Sequence, residues 1–228
     1  MPIIIIFARK QNIMADAGNR VVGRVATRAD QDINAGHSRG LAASLAKTEK
    51  EIRELRTERI YAFDKNGKLI SRSTTGTGGS TQLVEGYDYT DSIMTHNHPG
   101  NYFEGRRNLA TRIGTSFSAD DIIAATAFNA KEMRAVTRQG YTYSIKRKGD
   151  KWQLANKPSA WRYLKNRYGD LYEYSVRKYR DALWKRTDGT DNKYLDDVND
   201  RIHIVATHQT LKQLAKEFDF SYTRKKTK

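Results

Sequence analysis

The chain has no cysteine, only three prolines among 228 residues, and far fewer acidic than basic side chains. Without cysteine there is neither a disulfide framework nor a thiolate metal site, so any bound metal must be held by histidine and carboxylate. Scarce proline leaves room for long uninterrupted helices. The most apolar stretch, Pro2 to Ala8, falls well short of the roughly 20 residues that a membrane helix needs. It also lacks the basic leader and small-residue cleavage site of a secretory signal, so a cytoplasmic location and a docked or strand-forming segment are expected. Lys and Arg number 41 against 26 Asp and Glu, a formal net charge of +15. A field of that sign attracts nucleic acid, acidic protein faces or anionic membrane surfaces. It is equally consistent with a solvated basic surface that has no dedicated partner.

Three regions are expected. Residues 1–40 are polar after the apolar start, with weak periodicity, and read as an N-terminal arm. Residues 41–156 carry the patterns of an α/β domain. Residues 157–228 read as a helical basic extension. Within the domain, Leu41, Leu45, Ile52 and Leu55 recur at helical spacing. Residues 59–63 and 68–73 read as two strands about an Asp-Lys-Asn-Gly turn, since Asn and Gly tolerate positive φ. The Gly-rich stretch 74–82 lacks the lysine of a phosphate-binding P-loop. Residues 91–95 form a short strand that runs into His96-Asn97-His98-Pro99. After a long polar insertion, 100–117, Ser118 caps a helix with Asp120 and Asp121 in its first turn. Residues 133–137 and 141–146 read as a hairpin, and 151–155 as a further short strand. Beyond Pro158 an aromatic stripe (Trp161, Leu164, Tyr168, Leu171, Tyr172, Ser175, Tyr179, Ala182) predicts one long helix packed through that face. Shorter helices are expected at 193–199 and 207–218, with Arg224-Lys225-Lys226 as a frayed tail.

The pattern richest in chemistry is His96-x-His98. On a strand, side chains two apart share a face, so two imidazoles can meet one metal ion. Pro99 ends the pairing, which predicts a site at a sheet edge. A third ligand must be a carboxylate or another histidine, and Asp121 in the first turn of the next helix is the natural candidate. Three protein ligands and one open position suit hydrolysis, which then needs a base for the water's proton. Glu58, at the start of the first strand, can serve, although Glu51, Glu54 and Glu85 lie nearby. Ser118 can donate a hydrogen bond to a developing oxyanion. The remaining histidines, His37, His203 and His208, show no such company.

Glu58 ahead of a hairpin, then His96-Asn97-His98-Pro99, then Ser118-Ala119-Asp120-Asp121 resembles the signature of the JAB1/MPN/Mov34 (JAMM) metalloproteases. The likeness is to their RadC-like and phage-encoded branches, and it covers about residues 55–147. It implies a small mixed, mainly antiparallel sheet flanked by helices, here with a helical C-terminal extension. It also implies Zn2+ held by His96, His98 and Asp121, with Glu58 as general acid/base and Ser118 stabilising the tetrahedral intermediate. The implied reaction is cleavage of amide or isopeptide bonds in a peptide or protein substrate. The run from Pro99 to Ser118 is longer than the family's usual one, which bears on substrate class. Two other readings compete: a phage structural or DNA-packaging protein with a JAMM-like scaffold domain, assembled with other virion proteins, and a nucleic-acid-binding protein. The three consecutive letters His-Asn-His do not match the HNH nucleases, whose residues are spread over a longer ββ-metal-helix unit.

Overall fold

A computed structural model describes residues 40–73, 81–99, 116–154, 158–187 and 192–226. The N-terminal arm, the Gly-rich stretch 74–80 and residues 100–115 of the polar insertion lie outside the described residues. Helix α1 spans Leu41–Arg53. It is followed by β1 (Ile60–Phe63), β2 (Leu69–Arg72), β3 (Ile93–His98), α2 (Ala119–Ala127), β4 (Glu132–Thr137), β5 (Tyr141–Arg147), α3 (Pro158–Thr187), α4 (Asn192–Glu217) and β6 (Phe220–Lys226). The fold is α/β: six strands in the order β2-β1-β3-β4-β5-β6, flanked by four helices. Every neighbouring pair is antiparallel except β3 and β4, which are parallel and joined through α2. Among the described residues no helix is long and apolar enough to cross a membrane.

Strand alternation sorts the side chains onto two faces. Phe63 and Ile93 point to one face, where Leu45 of α1 packs on them with Leu41, Tyr61 and Leu69. Ile60, Met94, Ala135, Tyr143, Ile145 and Phe220 point to the other, where they meet Ile122 of α2, Leu164 and Leu171 of α3, and Leu211 and Leu214 of α4. The β1–β2 turn is as the sequence predicts. The Asp64 carboxylate accepts the amides of Asn66 and Lys68, and Gly67 sits at φ 87°. A Cβ there would come within 2.7 Å of the Leu41 backbone, so both the conformation and the space select glycine.

Four expectations differ from what is observed. Residues 192–217 form one helix, because Ile202, Ala206 and Thr210 continue a buried stripe across the presumed gap. Residues 151–154 make a turn whose apolar side chains close the core, with Trp152 Nε1 donating to the Ala130 carbonyl at 2.7 Å. Leu55 lies beyond the end of α1 and is exposed. The C-terminal basic residues are exposed but not frayed. They extend β6 along β5, and the Arg224 guanidinium stacks 4.1 Å over the Tyr141 ring. The stripe on α3 packs as expected apart from Ala182, which is exposed.

The segment after residue 157 therefore shares the core of the domain. Leu164→Ala, at a fully buried position, is expected to cost about 2–5 kcal/mol in urea unfolding. A loss near zero would mean that α3 is an appendage. The α4–β6 contact adds a pH dependence. His208 Nδ1 lies 2.5 Å from the Tyr222 hydroxyl, beside the Tyr143 ring. Burial first, then the charges of Arg224 and Lys212, lower its pKa to about 4. Unfolded histidine titrates near 6.5, so the unfolded chain binds the extra proton between those values. Stability from this group is complete above about pH 6.5 and falls as the pH drops towards 4. His208→Asn is expected to flatten that part of the thermal-midpoint profile.

Candidate metal centre

The topology brings the three distant segments together. In a parallel β3–α2–β4 unit, the C-terminal end of the first strand and the N-terminus of the helix lie at the same end of the sheet. His96 and His98 occupy that strand end, and Ser118 caps that helix. Strand β1 runs antiparallel to β3 with Ile60 opposite His96, so continuing the register sets Glu58 level with His98. The predicted sheet-edge position is corrected. Strand β3 is interior, between β1 and β4, and its pairing with β4 persists to His98 opposite Thr137. A parallel neighbour delivered by a helical crossover leaves no local signal in the strand itself.

The four side chains lie close to one another. His96 Nε2 lies 2.9 Å from His98 Nε2, 3.4 Å from Asp121 Oδ1 and 4.0 Å from Glu58 Oε1. Donor atoms of Glu58, His96 and His98 all lie within 4.8 Å of one another, so this group can hold a metal ion. Asp121 sits against its His96 side. Tetrahedral zinc with bonds of about 2.0–2.1 Å separates its ligand atoms by about 3.3 Å. The His96–His98 and His96–Asp121 spacings bracket that value, although Asp121 is not part of the mutually close group, which takes in Glu58 instead.

A capping box orients Asp121. The Ser118 amide and hydroxyl donate to Asp121 Oδ2 at 2.7 and 2.8 Å, while the Asp121 amide donates to Ser118 Oγ at 3.3 Å. One carboxylate oxygen is thus satisfied and the other, Oδ1, is left facing His96. Glu58, His96 and Asp121 are at most 2% exposed, and Glu58 Oε1 and Asp121 Oδ1 are buried without a hydrogen-bond partner. Two such oxygens aimed at one imidazole nitrogen are costly unless a cation or proton lies among them.

Charge follows from the same burial. The Glu58 carboxyl is pushed up to about 9 by desolvation, and secondarily by the Asp121 charge. Desolvation also raises Asp121, against the opposing pull of His98 and the Ser118 hydrogen bonds. His96 is held well below the usual imidazole value by burial, then by His98. A neutral imidazole keeps a lone pair for a metal, and a divalent cation would let both carboxylates ionise in this setting.

Some supporting residues were not apparent from the sequence. The Tyr168 hydroxyl donates to the Phe117 carbonyl at 3.0 Å, the Tyr222 hydroxyl pairs with Ser116 Oγ at 2.9 Å, and Lys165 meets Asp120 at 2.6 Å. Helix α3 and strand β6 therefore hold the entrance to α2, where Ser118 and Asp121 sit. No local pattern marks such long-range bonds. A groove of about 740 Å³ between α1 and the outer face of β4–β6 is lined by Lys50, Arg53, Glu132, Arg134, Lys146 and Lys225 among others. Its floor residues alternate with the histidine-bearing face, so it lies across the sheet from the metal group. Comparisons with family models, curated proteins and solved structures find no match to this chain.

Proposed function

We propose that the chain is a zinc-dependent hydrolase of peptide or isopeptide bonds, of the JAMM type. The observation that carries this reading is the pair of unpartnered, buried carboxylate oxygens, Glu58 Oε1 and Asp121 Oδ1, facing the same His96 nitrogen beside His98. His96 and His98 would hold the ion together with Asp121, whose Oδ1 lies 3.4 Å from His96 Nε2. Zn2+, when bound, acidifies water and polarises a carbonyl.

The protein's own groups would do the rest. Glu58 Oε1, set back at 4.0 Å, accepts the proton of the attacking water. As the C–N bond breaks, the same oxygen returns the proton to the leaving amine. A carboxyl biased by burial towards its protonated form suits that second half. The Ser118 hydroxyl, which donates to Asp121 Oδ2, first orients a ligand. It serves the oxyanion only if it turns from that partner. His98 is the most accessible member of the group, so substrate approaches from its side.

The reading is tested by incubating zinc-loaded protein with linear peptides and with lysine-linked isopeptides, and resolving the products by mass spectrometry. Cleavage that a chelator stops and zinc restores is expected. Zinc-independent cleavage, or no cleavage of either bond type by protein that carries zinc, would overturn it.

A further inference from the structure

Asn97, between the two histidines, projects from the opposite face of β3 and is fully buried. Its carboxamide is committed to the segment that carries Glu58. Oδ1 accepts the Arg59 amide at 2.7 Å, and Nδ2 donates to the Thr57 carbonyl at 3.1 Å and to the Leu55 carbonyl at 3.5 Å. The Asn97 amide adds a bond to the Arg59 carbonyl at 3.3 Å. These partners, one N–H and two C=O groups, fix which end of the amide is oxygen.

Thr57 and Arg59 flank Glu58. With both neighbours clamped from beneath the sheet, the alternation of an extended chain turns the Glu58 side chain to the histidine face. This segment precedes β1, and its nearest tie to β2 comes one residue later, where the Ile60 amide donates to Ser73 Oγ and the Ile60 carbonyl accepts the Ser73 amide. We infer that Asn97 is the positioning residue for Glu58, acting through residues 57–59 without touching the reacting atoms. The histidine pair and the acid/base group are then set by three consecutive residues of one strand: His96 and His98 towards the ion, and Asn97 towards the backbone behind Glu58. Asparagine is suited to this task because it offers an acceptor and two donors on a short stem. Serine supplies fewer donors, and aspartate would face two carbonyls with no donor at all.

The inference rests on the proposed metal-dependent reading, and a double-mutant cycle separates the two. Cobalt(II) alone is the probe, with dissociation constant and visible absorption measured for the wild type, Glu58→Gln, Asn97→Ala and the double variant. Circular dichroism monitors the fold. Asn97→Ala is expected to keep about one cobalt per chain, with any loss of affinity no greater than that of Glu58→Gln. Its spectrum should shift in the same sense as that of Glu58→Gln, and the double variant should match Glu58→Gln alone. Additive losses, or a wild-type spectrum in Asn97→Ala, would reduce Asn97 to a packing residue. Should Asn97→Ala fail to fold, Asn97→Ser is read in the same cycle. A wild-type chain that takes up no cobalt, or a His96→Ala variant that retains it, would sink the metal-dependent reading itself, and this inference with it.

Discussion

Glu58→Gln is expected to leave zinc content unchanged and to lower peptide or isopeptide turnover by about 10²- to 10⁴-fold, the usual contribution of a positioned general acid/base. The substitution conserves shape and removes the ability to take and return a proton at Oε1. Glu58 stands 4.0 Å from His96 Nε2, against 2.9 Å for His98 and 3.4 Å for Asp121, so on the proposed reading the ion stays on His96, His98 and Asp121 without it. The loss should fall in kcat more than in KM, because the proton transfer belongs to the transition state. The check pairs elemental analysis with steady-state kinetics on the same preparation. Retained turnover would remove Glu58 from the mechanism, whereas loss of zinc would make it a ligand.

His96→Ala has the largest expected effect on binding. His96 Nε2 is the hub that His98, Asp121 and Glu58 all face, so its removal takes away the shared point of approach. Stoichiometric zinc should be lost. A ligand that binds only the folded state adds about 2.7 kcal/mol at a hundredfold excess over Kd. For a chain of this size that is a thermal shift of roughly 5–10 °C. Wild-type protein should show that shift on adding zinc, and His96→Ala should show none. Asp121→Ala should weaken binding too, and Ser118→Ala should follow it more mildly, since Ser118 holds the second Asp121 oxygen. An equal zinc-induced shift in wild type and His96→Ala would place the ion elsewhere.

The parts of the fold that could be read in advance rest on local chemistry. The Asp64–Gly67 turn, the Ser118 cap and the hairpin about Gly140 each follow from a few adjacent residues with a fixed conformational preference. The His96–His98 pair was legible because strand alternation alone puts both rings on one face, here 4.7 Å apart at their centroids. What depended on distant pairing was not legible. The interior position of β3 comes from a parallel neighbour supplied after α2. The β6 strand looks like a basic tail until Tyr141 and Tyr143 of β5 are set against Lys226 and Arg224. The role of Asn97 was hidden for a similar reason. Its partners lie about 40 residues away, and its side chain faces away from the chemistry its neighbours suggest.

A groove on the other face of the same sheet gathers several basic side chains. Glu49 takes a bidentate hydrogen bond from Arg134, which also meets Glu132. That leaves Lys50, Arg53, Lys146 and Lys225 of the outer groove as cations outside this network, on the face away from the histidines. The groove lysines and the metal group therefore lie on opposite faces of the sheet, and charge-neutralising substitutions in the groove need not disturb the histidine cluster.

Zinc-edge X-ray absorption of the zinc-loaded protein tests the central claim most directly, because it reports the ligand atoms themselves. Two imidazole nitrogens at about 2.0–2.1 Å, completed by oxygen, are predicted, with the imidazole signal gone in His96→Ala. A spectrum showing oxygen neighbours only, or the same imidazole signal in wild type and variant, would contradict a metal centre built on His96 and His98.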